Sequence, residues 1–138
     1  MKQMKNYLLP FAVVAFLSSC AKKDEVTCYS SKQGDLMVKV IPMINGGDVY
    51  SSESNPVKVM IGYDITESKG DNPDSYDRIL KARNNENWIS CNNMSCGIFY
   101  FRVVRTETST GKTYSGGMSL VTEQDTGQID LKIELSAN

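Results

Sequence analysis

The feature that most constrains the fold of this chain is a strict alternation of apolar and polar residues near its carboxyl end. In residues 128–135 every second residue is apolar, and the residues between are polar or charged. The apolar positions are Ile129, Leu131, Ile133 and Leu135. Because successive side chains of a β-strand point to opposite faces, this period of two predicts a strand with one packed and one solvated face.

Weaker versions of this pattern recur along the chain. Segments rich in valine, isoleucine and aromatic residues suit the pleated, half-buried surface of a sheet. The further predicted strands are residues 35–42, 56–64, 86–91, 97–105 and 113–122. In the last of these, the glycine pair Gly116 and Gly117 predicts a β-bulge. Residues 78–83 fit either a short strand or one to two helical turns.

Turn-forming residues cluster between the predicted strands. The predicted turns are residues 45–48, 51–55, 106–112 and 125–127. Six or seven short strands without a long amphipathic helix predict an all-β fold, a single antiparallel β-sandwich of immunoglobulin or transthyretin type. A small barrel is the alternative. The domain is expected to span residues 35–138, which is enough chain for one core and too little for two.

The first twenty residues differ in character from the rest. Lys2 and Lys5 precede an apolar stretch, residues 7–17, that is shorter than the roughly twenty residues of a membrane-spanning helix. It ends in Leu17-Ser18-Ser19-Cys20, which resembles the lipobox of bacterial lipoproteins. The resemblance implies that residues 1–19 are a cleaved signal peptide, that Cys20 carries acyl chains, and that residues 20–34 form the lipidated start and a tether. A short membrane anchor or an ordinary secretory signal is the alternative.

The residues around Cys20 also bear on location. Several acyl chains anchor a protein stably, whereas a single chain binds a membrane only marginally. Ala21 stands where the inner-membrane retention signal of enteric bacteria has aspartate, so an outer-membrane location is expected, with the periplasmic face favoured. The run Lys23-Asp24-Glu25 resembles a surface-export signal of some Gram-negative lineages, which leaves the cell surface as the alternative.

Charge and histidine content exclude several classes of function. Removal of residues 1–19 takes away Lys2 and Lys5 and leaves 13 basic and 16 acidic side chains, a net charge of −3. The basic residues are scattered, so we expect no nucleic-acid partner. The chain has no histidine, which removes histidine-dependent catalytic triads and imidazole metal sites. We therefore expect no enzymatic activity, cofactor, metal or small-molecule substrate.

Three cysteines follow Cys20, and disulfides persist in the compartment that its lipobox implies. We expect one intramolecular disulfide that includes Cys91 or Cys96. The pair Cys91–Cys96 is preferred because the four residues between them favour a turn. A bond from Cys28 to either of the other two would close a much longer loop. The longer closure would stabilise the fold by about 4 kcal/mol, against about 2 for the shorter one.

The polar segment at residues 67–77 is the candidate partner-binding loop, because loops vary without disturbing a core. Its candidate contact residues are Ser68, Asp71, Asn72, Asp74 and Ser75. Asp71, Asp74 and Asp77 recur every three residues, which does not match the alternate acidic positions of an EF-hand, so no calcium site is predicted. A solvated connection without a binding role is the alternative.

Four aromatic residues fit either the core or a groove for a sugar or peptide. They are Trp88, Phe99, Tyr100 and Phe101. The core is favoured for all four, because one tryptophan near a central strand is ordinarily interior in a sandwich of this size.

Residues 35–45 and 55–65 resemble the opening of the small outer-membrane lipoprotein of type VI secretion systems. In that family a strand that ends near an asparagine, here Asn45, precedes a strand with a Pro-Val pair and a tyrosine, here Pro56, Val57 and Tyr63. The resemblance implies a transthyretin-like fold and a structural role in an envelope-spanning assembly, through an envelope protein partner. The chain departs from the family in having cysteines. The alternative is a surface lipoprotein that recognises a glycan, a host protein or a foreign enzyme.

Overall fold

A computed structural model describes residues 28–138; the predicted signal peptide, Cys20 and the first part of the tether lie outside the described residues. Within that range the chain forms nine strands and one short 3-10 helix, Pro73–Ser75. The strands are β1 (Asp35–Ile44), β2 (Gly47–Asp48), β3 (Val57–Tyr63), β4 (Arg78–Lys81), β5 (Ile89–Met94), β6 (Gly97–Thr106), β7 (Thr113–Thr122), β8 (Thr126–Glu134) and β9 (Ser136–Ala137). The segment that fitted a strand or a helix is the strand β4.

The strands form two sheets that pack face to face, which confirms the all-β sandwich. In the smaller sheet β1 lies between β5 and β8 and also forms a hairpin with β2. The larger sheet has the order β4-β3-β6-β7-β9. All pairs are antiparallel except β1 and β8, which run parallel. An immunoglobulin constant domain has its first two strands in one sheet, whereas here the first two long strands, β1 and β3, lie in opposite sheets.

The core lies between the two sheets, and alternating residues of the long strands fill it. β6 contributes the aromatic part, in which the Phe99 ring meets Tyr63 edge-on with 5.8 Å between ring centroids. Leu131 and Ile133 of β8 are buried while Asp130, Lys132 and Glu134 are exposed, as the alternation predicts. The central buried residues are Leu36, Val38, Val40, Val57, Val59, Ile61, Phe99, Phe101, Val103, Leu131 and Ile133.

The strand β5 begins and ends later than the sequence predicts. Residues that favoured a turn instead form a bulge, because β5 has one more residue than β1 between the paired positions Leu36–Met94 and Val38–Cys91. Asn93 adopts a left-handed backbone conformation, with φ of 59°, at this bulge. The extra residue brings both Cys91 and Met94 to the inner face, where they are buried.

The glycine pair of β7 is not a bulge, because β6 and β7 pair without a register shift through Gly116 and Gly117. The two glycines instead provide space on opposite faces. A Cβ atom on Gly117 would collide with the hydroxyl of Tyr100, and one on Gly116 would collide with the carbonyl oxygen of Glu134. The second contact lets the chain pass from β8 in the smaller sheet to β9 in the larger one.

Candidate functional site

The predicted partner-binding loop covers the outer face of the larger sheet. We call residues 64–77 the covering loop. Beneath it lies a second apolar cluster, separate from the core, in which Tyr76 and Ile65 of the loop pack on Met60, Tyr100 and Val104 of the sheet. A side chain at position 62 would collide with Ile65, so glycine there permits the close approach of the loop.

Hydrogen bonds of Tyr76 and Asp77 fix the shape of the covering loop. The buried Tyr76 hydroxyl donates to the Gly70 carbonyl at 2.6 Å and accepts from the Lys69 amide at 3.1 Å. The Asp77 carboxylate accepts from the Tyr63 amide at 2.7 Å. The loop is therefore closed onto itself and onto the end of β3.

An ion pair attaches the middle of the covering loop to the sheet. The Arg102 guanidinium donates to Asp71 at 2.8 Å and to the Ser115 hydroxyl at 2.8 Å. The Asn138 amide donates to the same carboxylate at 3.3 Å. Partial burial acts to lower the pKa of Arg102, but the hydrogen bonds and charges of Asp71 and Tyr100 together outweigh burial and raise it above its usual value. The arginine therefore stays charged, and the pair keeps the loop in place.

The five predicted contact residues all lie in this loop, but they have different roles. The Asn72 side chain caps the 3-10 helix by accepting from the Asp74 amide at 3.0 Å, and Ser68 accepts from the Gly70 amide at 3.1 Å. With Asp71, three of the five therefore support the loop itself. The side chains of Asp74 and Ser75 are exposed and make no hydrogen bond within residues 28–138. They are available to a partner.

The disulfide joins Cys28 to Cys96, with 5.1 Å between their Cα atoms. One intramolecular bond that includes Cys96 agrees with the prediction, but the preferred pair Cys91–Cys96 is wrong. The cause is the β5 bulge, which turns Cys91 into the core and leaves Cys96 in the β5–β6 turn. The pairing spans 68 residues, a closure that stabilises the fold by about 4 kcal/mol in the chain-entropy view.

Ser30 attaches the segment after Cys28 to the same place. It is buried, and its hydroxyl lies 2.8 Å from both the Asp64 carboxylate and the Ile98 carbonyl, either of which can accept its hydrogen. It also accepts from the Ile98 amide at 3.1 Å. We call this end of the sandwich the tether end; it holds Cys28, the β5–β6 turn, the start of β6 and the end of β7.

The remaining cysteine of the described region, Cys91, is a core residue. Burial raises the pKa of its thiol to about 12, against a smaller opposite effect of Arg78. The thiolate is the reactive form of cysteine. Cys91 is therefore suited to packing rather than to chemistry at neutral pH.

The aromatic residues divide between core and surface. Phe99 and Phe101 are core residues, as favoured, and Tyr100 lies under the covering loop. Trp88 is different, because it is only half-buried and lines a depression of about 250 Å³ between the edge strands β4 and β5. The Lys39 ammonium lies 5.1 Å from its ring centroid. Other residues of this depression, which we call the Trp88 groove, are Leu80, Arg83, Glu86, Ser90 and Asn92.

Sequence reasoning missed three of these features. Nothing in the sequence distinguishes Ser30 from the neighbouring serine. The predicted strand 86–91 begins three residues before β5 does. The prediction therefore put Trp88 inside a strand, whereas it lies just before one. Tyr76 did give a signal, because a single tyrosine within a run of polar residues indicates a local attachment point.

Three negative results complete the description. No group of carboxylates and thiols within residues 28–138 is arranged to hold a metal ion. The described part of the chain also has no helix with the length and hydrophobicity needed to span a bilayer. No protein-family model, curated protein or solved structure matches the chain.

Proposed function

We propose that this protein is an outer-membrane lipoprotein that acts by binding a protein partner, as an accessory or structural component of an envelope-spanning assembly. Its mechanism is positional. Acyl chains on Cys20 fix it in one leaflet, and the sandwich presents a binding surface at a defined distance from that leaflet. The periplasmic face of the outer membrane is the favoured location.

The observation that carries this proposal is the attachment of the amino-terminal segment to the tether end. Seven residues separate Cys20 from Cys28, and they span at most about 28 Å when fully extended. Beyond them the Cys28–Cys96 disulfide and the buried Ser30 fix the chain to the sandwich. A lipid on Cys20 would therefore keep one end of a rigid domain close to the bilayer.

The covering loop is the surface that we assign to the partner. Its backbone is already ordered by Tyr76, Asp71 and Asn72, so little conformational entropy would be lost on binding. Two of its exposed carboxylates, Glu67 and Asp74, form no ion pair within the described part of the chain. They favour a partner with a basic contact surface.

Mass spectrometry of the protein purified from membranes tests the anchor. We expect the chain to begin at Cys20 and to carry a thioether-linked diacylglycerol and an amide-linked acyl chain. An unmodified Cys20, or retention of Met1, would show that the anchor does not exist. Digestion of intact cells with protease tests the side of the membrane, because only a surface-exposed protein is lost before the outer membrane is permeabilised.

Charge reversal tests the assigned surface more sharply than shortening the loop, which would also uncover the apolar cluster beneath it. We expect Glu67→Lys combined with Asp74→Lys to abolish partner capture by the lipidated protein without changing its thermal unfolding. The matched control is Asp48→Lys combined with Glu53→Lys, which makes the same charge change at exposed sites elsewhere. Equal capture by both double variants would remove the covering loop from the mechanism.

The Trp88 groove supports a second candidate, a surface lipoprotein that recognises a glycan or peptide. A half-exposed tryptophan face stacks on sugars or apolar side chains, and Lys39, Arg83, Ser90 and Asn92 supply polar groups near it. On this proposal, Trp88→Ala would abolish binding to a glycan array or to cells, and Tyr50→Ala, which also removes an exposed aromatic side chain, would not. Retention of binding by Trp88→Ala would exclude the groove.

A further inference from the structure

The tether end carries a patch of exposed apolar side chains. In residues 28–138, six large hydrophobic side chains are exposed, and three of them are at this end. These three form what we call the apolar end patch: Tyr29, Ile98 and Val121, which are 60%, 38% and 69% exposed. Such side chains normally avoid water when they are grouped, so a group of this kind indicates a contact surface.

Three observations place these residues at one end of the sandwich. Ile98 on β6 lies directly opposite Val121 on β7. Ser30, which follows Tyr29, hydrogen-bonds to both backbone groups of Ile98. Cys28, Ile98 and Val121 also line one depression of about 470 Å³. The patch therefore adjoins the point at which the chain toward Cys20 leaves the fold.

We propose that the apolar end patch contacts the lipid surface in which Cys20 is anchored. This inference rests on the lipid anchor of the proposed function. The seven residues between Cys20 and Cys28 allow the tether end to reach the headgroup layer, since even their full extension is about 28 Å. Tyrosine is favoured at that layer, and aliphatic side chains enter the boundary between headgroups and acyl chains.

With this contact, the protein is held at the membrane in two ways. Acyl chains supply the affinity, and the patch determines which end of the sandwich faces the bilayer. The carboxylates of Asp64 and Glu123 line the same depression. Because anionic headgroups repel carboxylates, we expect the contact to be stronger on zwitterionic than on anionic vesicles.

The test measures depth with tryptophan fluorescence and brominated phosphatidylcholine. The acylated protein is prepared in a Trp88→Phe background, and a single tryptophan is placed at an exposed site by Val121→Trp or Tyr29→Trp. Tyr50→Trp, at the opposite end, is the matched control. We expect at least twofold stronger quenching for each tether-end variant than for the control. The difference should shrink on vesicles that contain phosphatidylglycerol.

Two outcomes would overturn the inference in different ways. Flotation of the protein with vesicles, with equal or absent quenching at all three sites, would leave the lipid anchor and remove the apolar end patch from the membrane. Recovery of unacylated protein alone, which does not float with vesicles, would remove the anchor and the patch together. Thermal unfolding of each variant confirms that it is folded, and the two tether-end reporters provide independent measurements.

Discussion

The strands β6 and β8 have similar lengths but opposite environments, and the difference comes from their neighbours. β8 is at the edge of the smaller sheet, pairs only with β1 among the described strands, and has one buried and one exposed face. β6 is central in the larger sheet and its middle is buried on both faces, with Phe101 in the core and Tyr100 under the covering loop. A two-layer sandwich can therefore gain a partial third layer from a single loop.

The largest expected effect concerns the one-sided burial of β8. Leu131→Asp places a carboxylate in the core and should lower the free energy of unfolding by about 4 to 5 kcal/mol. Lys132→Asp changes the exposed neighbour and should cost less than about 1 kcal/mol. Urea titration of both variants measures the two values. Similar losses would mean that the two faces of β8 are not as different as described.

The next effect concerns the two-sided burial of β6. Phe101→Ala on the core face should cost about 4 kcal/mol, and Tyr100→Ala on the covered face about 3 kcal/mol. Asp130→Ala, on the outer face of β8, is the control and should change the stability by less than about 1 kcal/mol. If Tyr100→Ala behaved like the control, the covering loop would not be a stable layer in solution.

A smaller effect tests what keeps the covering loop in place. Tyr76→Phe keeps the packing of the ring but leaves the Lys69 amide and the Gly70 carbonyl without their partner. We expect a loss of about 1 kcal/mol and faster hydrogen exchange of the Lys69 amide. Tyr29→Phe removes an exposed hydroxyl from another tyrosine and should alter neither quantity.

The smallest expected effect is a change in stability at alkaline pH. It concerns Cys91 of β5, the other outer strand of the smaller sheet. The pKa of the Cys91 thiol is about 12 in the folded protein, above its ordinary value of 9.0. Its contribution to stability is therefore complete below pH 9 and is lost as the pH rises toward 12. Between pH 8 and pH 9.5 the stability difference between wild type and Cys91→Ala should narrow by about 0.8 kcal/mol. An unchanged difference would mean that Cys91 is solvated.

The same comparison explains how much the sequence could predict. The pattern of β8 is sufficient because no segment within residues 28–138 covers its outer face, so the polarity of each residue follows directly from its exposure. In β6 the outward Tyr100 and Val104 indicate a second buried face, but the segment that covers it is polar and was therefore expected to be solvated. Tyr76 and Gly62 are the residues that allow the loop to pack on β6. Their roles can be recognised only once the loop is known to fold back over the sheet.

The candidate sites depended on longer-range geometry. Whether Asn92 and Asn93 turn the chain or form a bulge is decided by pairing with β1, and this choice determines which cysteine can reach Cys28. Similarly, Trp88 lies at a groove because the edges of two different sheets meet there. A local sequence pattern cannot predict such a contact, since whether the edges of two sheets approach each other depends on pairings with strands far away in the sequence.

The parallel pairing of β1 with β8 also determines when the smaller sheet can be completed. Asp35 lies opposite Thr126, 91 positions later in the chain, and pairs with such separation form slowly because a long loop must close first. In a chain that emerges amino end first, the edge of β1 that pairs with β8 would stay unpaired until β8 follows, while the other edge can already pair with β2 and β5. We expect pulsed hydrogen exchange during refolding to protect the β6–β7 amides before those of β1. The unpaired edge of β1 is then the part of the smaller sheet that is open to mispairing while folding is incomplete.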